Sequence, residues 1–348
     1  MWVFNRVCLL VLLCFSFSVQ AQRVTGSGAA FPSSVYMAWA FTYTKETGQQ
    51  VTYTPTNAVD GLKRIASREI DFAGVQPALS SRELKQYKLV QIPVMVGAIV
   101  PVHNVPGFPP GGIRLSGEIL AEIFTGTIKY WNDPKITQLN PQSKLQLPAM
   151  PIVRIVRENG AGVTDAFTRY LSAVSPSWEK SFGSGNAISW RGEPTIGKGN
   201  DGVVKALEAT PGGIGYVSFD RVIKDRLNFI ALKNRSGKYV VPTDEGLKTG
   251  LSLSKMFSDN DEVASLINLS GDQTWPILDA TYILVDAQPS TAAKINPTLQ
   301  FLYWAFLKGD DLLKGTGFVP LPTAIQARGL RYLYEVKPGD GEPIKFFR

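Results

Sequence analysis

Short apolar strands alternate with amphipathic helices along most of this chain, the pattern of an α/β fold with largely parallel sheets. "RVTGSGAAF" reads as a strand running into a glycine turn. The helix that follows has Pro32 at its first position, Val35, Tyr36, Trp39 and Tyr43 along one face, and a stop at Gly48. "QVTYT" alternates as a strand, and Asn57 caps a helix whose third position is Asp60 and whose Leu62 and Ile65 face the core. "EIDFAGV" is the next strand, and "KLVQIPVMVGAIVPVH" is a β-type stretch long enough to pass from one domain to another. "LSGEILAEIFTG" reads as a helix capped by Ser116, and "IVRIVR" as a strand leading into a glycine loop. "NDGVVKALEATPGGIGYV" gives a helix, a turn and a strand, and "ATYILVD" a late apolar strand. "LQFLYWAFLKG" and "TAIQARGLRYLY" are closing helices. The Pro/Gly-rich "NVPGFPPGGIRL" is expected to be a surface loop, and no internal repeat is visible.

The first 21 residues break the pattern. Arg6, an apolar run from Val7 to Val19, and Val19-Gln20-Ala21 have the form of a signal peptide cleaved before Gln22. The apolar run falls short of the roughly 20 residues a spanning helix needs. Export to a bacterial periplasm is therefore expected. Both cysteines, Cys8 and Cys14, lie in that leader, so the mature chain has no disulfide framework and relies on a large core. With 348 residues, 44% of them hydrophobic, the chain is long enough for about two domains.

The net charge is +7, or +6 without Arg6, and it is dispersed. No basic stripe interleaved with aromatics suggests nucleic acid. A small anion fits better. The single histidine, His103, sits in an alternating apolar strand and is read as packed core, which leaves neither a zinc set nor a histidine triad. "GKGNDG" at Gly197 has its glycines and lysine in the wrong order for a P-loop. No cofactor and no metal are expected, and an enzyme is disfavoured.

Three junctions share one form: an extended segment, a turn, then a helix start. They are Gly26–Phe31, Thr56–Val59 and Arg157–Val163. The first N–H groups of a helix lack intrahelical acceptors and carry a partial positive charge, so three such starts around one arginine would hold an oxyanion.

The blocks "GSGAAFPSSVYMAW", "IDFAGVQPALS", "EIFTGTIKYWNDPKITQLNP", "GKGNDGVV…PGGIGYV" and "TWPILDATYILV", in that order, resemble the periplasmic phosphate-binding proteins of phosphate ABC importers. The resemblance spans most of the mature chain. It implies a two-lobe periplasmic-binding-protein fold of type II, with crossover strands and a central cleft. Lobe I would take residues 22–95 and 275–348, and lobe II residues 96–274. It also implies a monomer working with the permease and ATPase subunits of an importer.

Carried over by position, the resemblance assigns backbone donors to Phe31 and Gly162 and the charged partner to Arg157. Elsewhere the chain departs from the family. Ala30, Ala58, Ala161 and Val163 stand where the family has hydroxyls. Gln76 stands where it has an aspartate that accepts the proton of phosphate and repels sulfate; a neutral amide that can donate should lose that discrimination. Four hydrogen bonds to a charged ligand are worth roughly 6–12 kcal/mol if additive, against about 8 kcal/mol for micromolar binding. Weak phosphate binding, or another oxyanion, is the expectation. The alternative is a repurposed relative acting as an envelope sensor, adhesion or scaffold protein; a hydrolase using the Arg157 loop is a third reading. In a cleft without ligand, Arg157 should have a carboxylate partner or stay wet.

Overall fold

The computed structural model describes residues 23–141, 146–259, 261 and 263–347. The signal-peptide reading, both cysteines included, falls outside the described residues. Among the described residues there are twelve strands: β1 (Val24–Gly28), β2 (Val51–Pro55), β3 (Phe72–Val75), β4 (Leu89–Asn104), β5 (Ile113–Leu115), β6 (Val153–Arg157), β7 (Thr195–Gly197), β8 (Gly213–Ser218), β9 (Ile230–Lys233), β10 (Tyr239–Val240), β11 (Leu278–Asp286) and β12 (Phe318–Pro320). Nine of them form one sheet in the order β2-β1-β3-β11-β4-β8-β6-β7, with β12 also paired to β4; β10, β9 and β5 form a second, small sheet.

The order explains the architecture. At one end β2, β1 and β3 run parallel. At the other, β8, β6 and β7 run parallel. Between these trios lie β4 and β11, antiparallel to each other and to their neighbours. The first half of β4 pairs with β11, and its second half, Ile99–Asn104, pairs with β8. The apolar run expected to pass between domains is one continuous 16-residue strand, almost wholly buried. Strands buried on both faces lose the polar alternation of one-sided sheets, and "VMVGAIV" shows that loss.

Helices cover the trios. Ser33–Thr47 buries Val35, Tyr36, Trp39, Ala40 and Tyr43, the face read from its spacing, and ends at a left-handed Gly48. Pro32 is the N-cap, one residue outside the helix, rather than its first position. Helix Ala58–Ala66 is capped by Asn57, whose side chain accepts from the Asp60 N–H as expected. Gly61 lets this helix lie against β1, since a Cβ there would fall 2.6 Å from the Gly28 Cα. Ile65 is buried, while Leu62 is only half-buried. The segment expected to be a loop carries turns up to Gly112, but Ile113–Leu115 forms β5 against β9 and Val105 and Phe108 are buried. Its alternating Ile and Leu outweigh the proline and glycine that precede them.

His103 is packed core, as read. It is 2% exposed on β4, and its Nδ1 accepts from the Val105 N–H at 3.2 Å. Burial lowers its pKa to about 4. A histidine whose folded pKa lies below the unfolded value of about 6.5 gives full stability above pH 6.5 and loses it as pH falls toward 4. Between pH 7 and pH 4 the wild type should therefore lose about 3 kcal/mol relative to a His103→Asn variant, which keeps an acceptor for Val105, as read from urea midpoints at each pH.

Candidate functional site

The C-terminal ends of parallel strands turn toward the middle of the molecule, the usual location of ligands in open α/β sheets. From β1 the chain runs through Ala29, Ala30 and Phe31. From β2 it runs through Thr56, Asn57 and Ala58. β3 delivers Gln76, and β6 delivers Arg157 and the turn Gly160-Ala161-Gly162-Val163. These four segments wall one cavity. All eight residues singled out from the sequence (Ala30, Phe31, Ala58, Gln76, Arg157, Ala161, Gly162 and Val163) line it. Room for the centre of a water-sized solute is about 20 Å³; a single water needs roughly 10–15 Å³ on that measure. The cavity is thus small, on the scale of a very compact solute and too small for a sugar or a peptide.

Donors dominate the lining. Ala58 opens the helix Ala58–Ala66, and Gly162 and Val163 open the helix Gly162–Val174, so their N–H groups have no intrahelical acceptor. Neither Pro32 nor Ala161 makes a side-chain cap, so two of the three helix starts keep their N–H groups clear of capping side chains. Asn57 caps the third, which removes one donor there.

Arg157 is only 7% exposed. Its Nη1 donates to the Asn200 side-chain oxygen, and Nε has no partner among the described residues. Burial lowers its pKa, opposed by the nearby Tyr216, Glu158 and Asp201. The carboxylate contact expected as one alternative is not found among the described residues: the side-chain partner is a neutral amide, and the largely buried guanidinium lies at the cavity wall. Glu158 acts one step away, accepting from the Gly199 N–H at 2.9 Å and so tying down the turn that presents Asn200. Asn200 belongs to "GKGNDG", the stretch set aside as a failed P-loop. Its partner lies 43 positions away, a separation no local spacing reveals.

Two further findings qualify the sequence reading. Thr56 borders the cavity, with its hydroxyl within hydrogen-bond reach of the Gly28 and Asn57 carbonyls. Thr164 does not line it; its hydroxyl pairs with Tyr216 at 2.8 Å, and the Tyr216 oxygen accepts from the Arg157 N–H at 3.3 Å. Gln76 lies across Gly162, where a Cβ would fall 2.3 Å from its Cγ, so only glycine fits under that side chain. Gln76 is 1% exposed and donates through Nε2 to Asp279 at 3.2 Å. Asp279 and its partner Arg169 were missed. "ATYILVD" reads as an apolar strand that begins one residue after Asp279, and nothing in the sequence pattern singles out Arg169.

Asn200→Ala should destabilise the ligand-free protein by about 1–3 kcal/mol, because a buried charged donor loses its acceptor. In the double variant Arg157→Met/Asn200→Ala that loss should largely vanish. Denaturant unfolding of the four proteins checks the coupling, and additive effects would contradict the pairing.

Residues 17–308 match the family model for a PBP superfamily domain. The chain is 38% identical over 307 residues to the phosphate-binding protein PstS of Haemophilus influenzae, covering 88% of this chain and 91% of that one. It is 35% identical to the phosphate-binding protein PstS of Pasteurella multocida, covering 98% and 99%. Among solved structures, a high-affinity periplasmic phosphate-binding protein bound with phosphate, PfluDING, superposes with a TM-score of 0.68 at 21% identity, covering 88% of this chain and 92% of that one. A putative phosphate ABC transporter substrate-binding protein from Clostridium perfringens, also with bound phosphate, gives 0.63 at 16% identity, covering 86% and 100%. At such identities the structural likeness speaks for the two-lobe fold.

Proposed function

Because the chain belongs to the PstS family of phosphate-binding proteins within the PBP superfamily, we propose that it is the solute-binding component of an ABC import system. It takes phosphate or a closely related oxyanion in the cavity beside Arg157. The observation that supports this most is the gathering of three separate strand-to-helix turns around one enclosed guanidinium. An unpaired buried charge costs several kcal/mol, and a compact anion is the occupant that offsets it.

The ligand is held from two sides. Residues 22–95 and 275–348 form lobe I, which supplies Ala30, Phe31, Ala58 and Gln76. Residues 96–274 form lobe II, which supplies Arg157 and the turn through Ala161, Gly162 and Val163. Backbone N–H groups at Phe31, Ala58, Gly162 and Val163 surround the oxyanion, and Arg157 pairs with its charge. Four positions that bear hydroxyls elsewhere in the family, as the sequence resemblance implies, are apolar here. Thr56, which borders the cavity, is the hydroxyl-bearing residue left in its lining. Phosphate affinity is accordingly micromolar or weaker. The protein works as a periplasmic monomer delivering its ligand to permease and ATPase subunits, exported by its leader and without catalysis of its own.

Calorimetry on protein refolded to remove copurified ligand tests this. Phosphate should bind with a micromolar or weaker dissociation constant, and Arg157→Met should weaken it at least about thirtyfold. Affinity much tighter than micromolar would contradict the depleted cavity. Failure to bind any small oxyanion would remove the proposal itself.

A further inference from the structure

Gln76 is the buried lining side chain whose two ends are chemically opposite, a donor NH₂ and an acceptor carbonyl; the other lining amide, Asn57, is exposed and its oxygen already accepts from the Asp60 N–H. Which end meets the ligand decides what the cavity selects. The neighbour that settles it is Asp279, at the start of β11, with its Oδ2 3.2 Å from the Gln76 nitrogen. A carboxylate only accepts, so the nitrogen must face it; the reverse orientation would set two acceptors against each other. Asp279 is itself held. Arg169 Nη2 donates to its other oxygen at 2.9 Å, while Arg169 Nε donates to Asp165 at 2.7 Å. The carbonyl end is what remains. Gln76 Oε1 is buried and has no partner among the described residues.

Resting on the oxyanion reading above, we propose that Asp279, braced by Arg169, is a positioning residue that turns the carbonyl of Gln76 toward the bound anion, so that the cavity prefers an oxyanion carrying a proton. Elsewhere in the wall the helix-start N–H groups and the guanidinium donate, the Asn57 side-chain oxygen is taken by the Asp60 N–H, and the Thr56 hydroxyl lies against the Gly28 and Asn57 carbonyls. An acceptor among them is satisfied only by a ligand hydroxyl: hydrogen phosphate donates its P–O–H to Oε1, whereas sulfate presents lone pairs to it. A neutral amide thus keeps a discrimination that its identity alone would abolish. This reverses the sequence expectation that Gln76 is free to donate.

The carboxyl of Asp279 is pushed up to about 6 by burial, with Arg169 drawing it back down and Asp165 adding to the rise. Glu83 shares a neighbouring cavity with Arg169 and Asp279. Once protonated, Asp279 can donate to the Gln76 carbonyl, and the amide can then turn its nitrogen to the ligand. Sulfate carries no proton between pH 5 and 8, so its affinity reports on the protein alone.

The test is competition calorimetry with inorganic phosphate and inorganic sulfate on the full mature chain. At pH 8 the wild type should prefer phosphate at least about tenfold. Asp279→Asn should lower that ratio to near one, chiefly by binding sulfate more tightly, a gain that general structural damage does not produce. Wild-type sulfate affinity should rise from pH 8 to pH 5 and stay flat in Asp279→Asn. Should that variant not fold, Gln76→Leu, which removes the acceptor, should weaken phosphate and spare sulfate. Equal phosphate and sulfate affinity in the wild type, or parallel loss of both anions in the variants, would overturn the inference while leaving an oxyanion-binding protein. Binding of neither anion by the wild type would overturn both.

Discussion

A positive charge enclosed among other positive ends is the constraint on which the centre of this molecule depends. Arg157 leaves water almost entirely, and its described side-chain partner is the amide of Asn200. Around it stand the N-termini of helices, which carry partial positive charge of their own. Among the described residues, no touching carboxylate neutralises Arg157. Glu158 and Asp201 act on it only through the field. The geometry becomes intelligible once the cavity is regarded as half of a charge pair whose other half arrives from solvent. Size then narrows the visitor to something compact.

The sheet explains how such a site is built without long-range sequence cues. Each parallel trio ends at the same place, because the crossing strands β4 and β11 put the two trios side by side. Four turns distant in the chain thereby share one wall. Gly61 and Gly162 serve this convergence by letting a helix press on β1 and a glutamine lie over a helix start.

How much of this is legible in the sequence differs between layers. Strand and helix periodicity recovered the main elements. The strand-turn-helix form, with the family resemblance, led to eight of the twelve residues that wall the cavity. What escaped was pairing across the chain. Asn200 meets Arg157 over 43 residues, and Asp279 meets Gln76 over 203; neither separation leaves a local trace. The short strands β5, β7, β9, β10 and β12 were not separately resolved from the sequence either. Strands of two to four residues carry too few alternations to stand out from loops. The amide at position 76 shows a subtler limit. Residue identity suggested what Gln76 could do, but its neighbour decides which of its two capacities is available.

The pairing order of the sheet also bears on how the chain is made. β11 lies between β3 and β4, which follow one another closely in the chain, and it arrives about two hundred residues after them. Until it does, β3 and β4 each present an unfilled edge, the kind of surface that invites wrong partners during synthesis and export. This late strand is thus the keystone of the sheet, and it brings Asp279 with it: the gap between β3 and β4 is closed and the glutamine is oriented by the same segment.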